Sequence, residues 1–368
     1  MKILQVNKHY APWVGGIETV VQDIAEGLKG HQMRILVSQT ETGKDTEKEI
    51  VNGVEVYRAR MLCKIQSMPV SFDFLKLFKE LSADSDIIII HHPFPLAFLA
   101  ALLYGRNKKI IVWYHSDIVR QKILNFFVQP IIKKVLKQSS KIFVLGENIV
   151  KYSKLLEPLK NKCVVVPFGI DLDRFNNPKD LEEARLIKNK YTQRIILTVG
   201  RLVYYKGFQI LIEAMSGVDA QLIIIGDGSL KEELQAQIAQ ENLQNNIEII
   251  PYVKSLVPFM QASVFFVLPS VARSEAFGIV QLEAMACGKP VINTALQSAV
   301  PEVSQNGLTG ITVDPSNSKV LKEAITTLLN NKELLNRYGL AAKERVQTFY
   351  SKEKFVKTIE ENLSEIVS

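Results

Sequence analysis

Short, β-branched apolar runs alternate with helix-length amphipathic stretches along the whole chain. In the first half the runs are Ile3–Val6, Arg34–Val37, Ile87–Ile90, Ile110–Trp113, Ile142–Leu145 and Val164–Val166. The second half continues the rhythm with Ile195–Val199, Leu222–Ile225, Ile247–Ile250, Val264–Leu268, Val291–Ile292 and Gly310–Val313. Runs this apolar, without a polar face at period two, belong to parallel strands covered on both sides. Helical segments between them make β-α-β crossovers, which predicts an α/β chain with two doubly wound, Rossmann-like sheets.

The boundary between the halves is readable. Pro167-Phe168-Gly169-Ile170-Asp171 closes the last strand of the first half, and a polar, helix-like stretch leads to Tyr191. Two domains are therefore expected, over residues 1–170 and 171–350. Beyond Asp314 the pattern is helical throughout, at roughly 316–330, 332–348 and 351–367. The last helix, about 351–368, is expected to pack back on the first domain. Ligands of open α/β sheets sit beyond the carboxyl ends of the strands, so two such sheets could offer both sets of loops to one cleft.

Composition narrows the class. With 368 residues, 47% of them apolar, the chain can bury two cores, and nothing in it reads as disordered. The start, MKILQVN, enters a strand directly and lacks the longer apolar stretch of a signal peptide. The longest apolar run, Pro93 to Tyr104, is too short to cross a bilayer. Cys63, Cys163 and Cys287 are scattered without metal-ligand spacing and read as ordinary buried thiols of a cytoplasmic protein. The net charge of +7 is uneven: residues 1–170 carry 24 Lys and Arg against 15 Asp and Glu, the remainder 21 against 23. A basic first half suits an anionic membrane surface or an anionic acceptor. No basic tract interleaved with aromatics and no helix-turn-helix pattern points to nucleic acid.

The chemistry concentrates in Arg273-Ser274-Glu275-Ala276-Phe277-Gly278-Ile279-Val280-Gln281-Leu282-Glu283. A strand ends at Pro269, a polar loop follows, and a helix begins near Phe277-Gly278. A helix start at a strand's carboxyl end offers free N–H groups to a phosphate, and Gly278 permits close approach. Eight residues of helix would separate Glu275 from Glu283 by roughly 12 Å. That exceeds the ~5–9.5 Å separation of glycoside hydrolase carboxylates and suits two contacts on an extended ligand. Taken alone, each glutamate reads rather as a solvated carboxylate, Glu275 in the loop and Glu283 on the helix surface.

The Glu275-to-Glu283 pattern with Phe277-Gly278 inside it resembles that of retaining glycosyltransferases of family 4, which have the GT-B fold of two Rossmann-like domains facing across a cleft. Three further matches fall in order: Gly15-Gly16-Ile17-Glu18 after the first strand, His115 after Ile110–Trp113, and Gly200-Arg201-Leu202 with Lys206-Gly207 after Ile195–Val199. The resemblance spans essentially the whole chain. It implies a nucleoside diphosphate sugar, GDP- or UDP-linked, as donor substrate, with no further cofactor. It places the donor on the second domain and the acceptor on the first. Gly15 and Gly16 would bring amides against the diphosphate, and Arg201 and Lys206 would neutralise it as it leaves. Glu275 would hold sugar hydroxyls, Gly278, Ile279 and Val280 would offer N–H groups beside Phe277, Glu283 would hold the ribose, and the backbone of Val253 the base. His115 is the remaining catalytic candidate, and Glu18, Asp117, Arg120 and Lys122 are the acceptor candidates.

Adjacent His91 and His92 point to opposite faces of a strand, so they read as cleft wall and not as a metal site. Asp84-Ser85-Asp86 and Asp171-Leu172-Asp173 fit turns and caps better than a metal-binding D-x-D, and no metal is expected. Residues 118–137 mix apolar bulk with Arg120, Lys122, Lys133, Lys134 and Lys137. They fit either a membrane-surface helix or a core helix pair with a basic face, interrupted at Pro130. The stretch Trp113 to Lys122 resembles mannosyltransferases of surface-polysaccharide assembly, which implies GDP-mannose and a lipid-linked saccharide acceptor. A UDP-hexose transferase with a small soluble acceptor is the alternative. A nicotinamide oxidoreductase would want a full G-x-G-x-x-G, of which Gly226-Asp227-Gly228 is a fragment. A non-catalytic sugar-nucleotide-binding protein would have less use for Arg201, Lys206, Glu275 and His115.

Overall fold

The computed structural model describes residues 1–13, 15–65, 68–116 and 122–367, the side chains of 122–127 excepted. It divides into two compact units, Met1–Phe168 with Phe355–Ser368, and Gly169–Lys354.

The strands of the first unit are β1 (Lys2–Val6), β2 (Gln32–Thr42), β3 (Glu47–Val51), β4 (Val54–Met61), β5 (Cys63–Ile65), β6 (Met68–Val70), β7 (Ile87–His92), β8 (Lys109–Tyr114), β9 (Lys141–Val144) and β10 (Cys163–Val165). Among the described residues one sheet runs β10-β9-β8-β7-β1-β2-β4-β3, and β5 pairs only with β6. Every pair in the large sheet is parallel except β3–β4. The central runs are as dry as their composition demands, with Ile87 to Ile90 fully buried. The β3–β4 hairpin is an addition to the expected strands. Glu47-Lys48-Glu49 makes β3 a polar edge, but its two-residue turn, Asn52-Gly53 with φ of 49° and 81°, is a strong hairpin signal.

Two local expectations are corrected. The helix Lys122–Gln138 continues through Pro130 instead of breaking there. The proline forfeits one backbone hydrogen bond, and burial of Ile132, Val135 and Leu136 on one side favours continuation, while Lys133, Lys134 and Lys137 face solvent. Cys63 is exposed rather than buried, because it sits on the small β5–β6 hairpin outside the main sheet. Burial pushes the half-buried Cys163 and Cys287 thiols up to about 11 and about 12.

The final helix, Lys352–Val367, closes the first unit. Phe355 lies 5.7 Å from Trp113 and 6.4 Å from Phe168, ring to ring. Lys141 Nζ donates to Asn362 Oδ1 at 2.7 Å.

The second unit holds β11 (Ile195–Val199), β12 (Gln221–Ile225), β13 (Ile247–Ile250), β14 (Phe265–Val267), β15 (Val291–Thr294) and β16 (Gly310–Val313), in the order β13-β12-β11-β14-β15-β16. All these pairs are parallel. Phe208, Leu211, Ile212, Leu222, Ile224 and Phe265 anchor a core between this sheet and its helices. Among the parallel strands of each unit the order reverses once, between β1 and β7 and between β11 and β14. Those reversals are where doubly wound sheets open a crevice for ligands.

Candidate active site

In the second unit the loops leaving β11 and β14 are tied together. The N–H of Val271 donates to the carbonyl of Tyr205 at 2.8 Å. Gly207 has φ of 69°, and a Cβ there would stand 2.1 Å from the carbonyl oxygen of Pro269, so only glycine fits. The same approach brings Lys206 Nζ to 2.5 Å from Glu275 Oε2, with side chains only 12% and 10% exposed. Ser270 Oγ donates to that same oxygen at 3.1 Å, and its own carbonyl accepts from Thr294 Oγ1 at 2.6 Å. Glu275 is therefore a buried, paired carboxylate, not a solvated one. Arg201 is exposed nearby, its Nη2 lying 3.5 Å from Tyr205 Oη.

Gly278, with φ of 69°, caps the helix Ile279–Ala286, and no side chain caps it in turn. The first N–H groups of that helix, those of Ile279 and Val280, lack intrahelical acceptors and suit an anion. A Cβ at Gly278 would lie 2.6 Å from Leu268 Cδ2, a second reason for glycine. Glu283 sits in the helix's second turn, half-buried. Burial raises its carboxyl to about 6 against the opposing pull of the Arg174 guanidinium. The Phe277 ring is buried 6.1 Å from that of Tyr350 and belongs to the core. Val253 lies half-buried in the loop after β13, beside an exposed Tyr252.

Val253, Arg201 with Lys206, and Glu275 thus follow the carboxyl ends of β13, β11 and β14 on one sheet edge. Three strand spacings separate the ends of that row, about 14 Å, the reach of an extended ligand. Gly226-Asp227-Gly228 lies between, and its glycines have a packing reason. A Cβ on Gly226 would be 2.0 Å from the carbonyl oxygen of Gly200, and one on Gly228 2.5 Å from that of Leu202.

In the first unit the candidates gather at the carboxyl ends of β1, β7 and β8. Gly15 caps the helix Gly16–Gly27 in an extended conformation, φ −168°. Glu18, in the first turn, folds back so that Oε2 would be 2.3 Å from a Cβ on Gly15. His115 is buried just beyond β8, with its N–H donating to the His92 carbonyl at 3.2 Å. Its Nε2 lies 3.0 Å from His91 Nδ1, and His91 Nε2 lies 3.0 Å from Gln5 Oε1. Burial first, then the neighbouring His91 and His92, hold His115 well below the usual imidazole range. His91 is thus a hydrogen-bonded partner of His115, while His92, on the other face, stacks on Tyr114 at 4.3 Å. Asp117 and Arg120 lie outside the described residues, and so does the side chain of Lys122.

The two D-x-D segments serve local structure. Asp84 pairs with Lys2 and Arg34, and Asp86 accepts the Lys2 N–H at 2.7 Å. Asp171 caps a short 3₁₀ turn by accepting from the N–H of Asp173. Sequence reasoning passed over Ser270 and Gln5. Ser270 carries no pattern of its own, but a lone glutamine inside the apolar strand Ile3–Val6 was a visible signal.

Comparison with known proteins gives the family and the fold. Residues 180–345 match the family described as glycosyl transferases group 1, and residues 14–174 match glycosyltransferase family 4. A D-rhamnosyltransferase, WbpZ, of Pseudomonas aeruginosa is 32% identical over 95% of this chain and 92% of its own. The O-antigen chain mannosyltransferase C of Escherichia coli is 31% identical over 97% and 96%. Among solved structures, sucrose-phosphate synthase of Thermosynechococcus elongatus superposes with a TM-score of 0.82 at 20% identity, covering 99% of this chain and 98% of that one. The Anabaena HepE protein in complex with UDP gives 0.81 at 18% identity, covering 99% and 100%.

Proposed function

The chain belongs to glycosyltransferase family 4 and has its GT-B fold, and from that premise we propose that it transfers a hexosyl group, with retention, from a nucleoside diphosphate sugar to a lipid-linked or polysaccharide acceptor. The observation that carries the reading is the Lys206–Glu275 pair at the β11–β14 reversal, beside an uncapped helix start. A departing diphosphate gains negative charge in the transition state, and Lys206 with exposed Arg201 can offset it. Backbone N–H groups of Ile279 and Val280 would hold its oxygens. Once Lys206 turns toward phosphate, Glu275 is free to accept hydrogen bonds from sugar hydroxyls. Glu283 would bind the ribose and the Val253 backbone the base. In the first unit, Gly15 and Gly16 would offer amides to a phosphate, and His115 would meet a sugar hydroxyl.

With cations and helix N–H groups available, the leaving group requires neither a metal nor a protein nucleophile in this reading. The names of the two relatives, a rhamnosyltransferase and an O-antigen mannosyltransferase, favour surface-polysaccharide assembly and GDP-mannose as donor. A panel of GDP- and UDP-sugars, screened by thermal shift and by release of nucleoside diphosphate, tests it. Stabilisation by GDP-mannose, with label entering a lipid-extractable acceptor and the α-anomer retained, is the expected result. No shift and no turnover with any nucleotide sugar would sink the reading.

A further inference from the structure

Three buried side chains on neighbouring strands form a hydrogen-bonded line. Gln5 is fully buried on β1, and His91 and His115 are 1% and 3% exposed at the ends of β7 and β8. The line has one consistent polarity. Gln5 Nε2 donates to the Val21 carbonyl at 3.2 Å, and this fixes the amide so that Oε1 faces His91. An amide oxygen only accepts, so His91 Nε2 carries a proton.

Burial brings His91 down to about 3 and holds His115 well below the ordinary value, so both rings are neutral at pH 7. A neutral imidazole has one N–H. His91 Nδ1 is then a bare acceptor, and His115 Nε2, 3.0 Å away, must donate to it. The two rings lie within 9° of parallel with centroids 5.3 Å apart, a geometry that accommodates an in-plane hydrogen bond between them. What remains on His115 is the lone pair of Nδ1, buried and without a hydrogen-bond partner among the described residues. A buried acceptor left open is unfavourable, and a hydroxyl donor would satisfy it.

We infer that Gln5 and His91 are positioning residues that lock His115 in the Nε2–H tautomer, so that Nδ1 is kept as the acceptor for a hydroxyl of the transferred sugar. The last clause rests on the transferase reading above; the tautomer does not. The other tautomer would present an N–H to the sugar hydroxyl and set two lone pairs against each other between the histidines. The line also explains a polar residue in the middle of a dry strand: Gln5 spends its amide wholly on the Val21 carbonyl and His91.

Nitrogen-15 NMR of histidine-labelled protein reads the tautomer directly, with only five histidines to assign. Wild type should show a pyridine-type Nδ1 and a pyrrole-type Nε2 on His115. In His91→Leu the Nδ1–H tautomer should gain population, and kcat should fall about tenfold, the effect of one hydrogen bond. Affinity for the free nucleoside diphosphate should be unchanged. His91→Gln can both accept from His115 and donate to Gln5, and should restore the tautomer and most of kcat. A pyrrole-type Nδ1 in wild type overturns the inference, and so does a His91→Leu protein whose His115 keeps the wild-type tautomer. If His91→Leu does not fold, wild type and His91→Gln decide it. The expected tautomers in a protein without turnover on any nucleotide sugar would leave the line standing and overturn the transferase reading.

Discussion

Lys206 and Glu275, 69 positions apart in sequence, meet through an ion pair of 2.5 Å that is almost sealed from water. The contact exists because β11 and β14 are neighbours in the sheet although β12 and β13 come between them in the chain. It gives the two residues a double duty, to hold two loops together and to separate when an anion and a sugar arrive.

Removing one partner of such a pair leaves the other charge buried, which costs about 3–5 kcal/mol. Lys206→Ala should therefore lose both stability and turnover. Adding Glu275→Gln should return much of the stability and none of the turnover. Arg201→Ala, at an exposed position, should change stability by no more than about 0.5 kcal/mol while lowering kcat. Urea unfolding with parallel kinetics checks all three, and an Arg201→Ala enzyme with normal kcat would remove that residue from the chemistry.

Glu283 makes a pH-dependent prediction. Its carboxyl is raised from the ordinary glutamate value to about 6, so the folded chain holds a proton more tightly than the unfolded one. The sign follows: its contribution to stability is complete below pH about 4.5 and is lost as pH rises through about 6. Glu283→Gln should thus stabilise the unliganded protein at pH 7.5 by up to about 2 kcal/mol relative to wild type, with the difference vanishing below pH about 4.5. The same variant should bind nucleoside diphosphate more weakly at pH 7.5. Unfolding curves at the two pH values and a binding titration read both effects.

Gly207→Ala should destabilise the second unit by about 1–3 kcal/mol, since it combines positive φ with a clash against the Pro269 carbonyl. Gly217→Ala is the control. It shares φ of 69° but has only the distant end of Lys322 near its Cβ position, and should cost less. Equal losses would mean that backbone strain alone, not the loop contact, is being measured.

The exposed lysines of the helix Lys122–Gln138 test the membrane expectation. Lys133, Lys134 and Lys137 changed together to Gln should weaken sedimentation with anionic vesicles, at about 1 kcal/mol per lysine near the surface. Binding unchanged by the substitutions, or insensitive to salt, would reassign that face to simple solvation.

The apolar runs were sufficient to find the parallel strands other than β4, whose Val54–Met61 mixes charged residues into the run, because a strand buried on both faces has little choice of composition. The β3–β4 hairpin escaped because Glu47-Lys48-Glu49 carries no apolar run, although Asn52-Gly53 marked its turn. Glu275 and Glu283 were legible as a spacing, but their states were not. The burial of Glu275 depends on Lys206 and Ser270 arriving from separate segments, and the raised carboxyl of Glu283 on the packing around its helix. His91 shows the same limit. Its strand position gave the face it occupies, and only the adjacency of β1 and β7 gave it Gln5.

One feature of the first unit sets a condition on any anion bound there. The start of the helix Gly16–Gly27 already has the Glu18 carboxylate folded over Gly15. A phosphate arriving at that positive pole meets a tethered rival of its own sign, and gains only the difference between its attraction and Glu18's. The chain carries a resident competitor for the seat, so tight capture at this helix end is traded for easy vacancy.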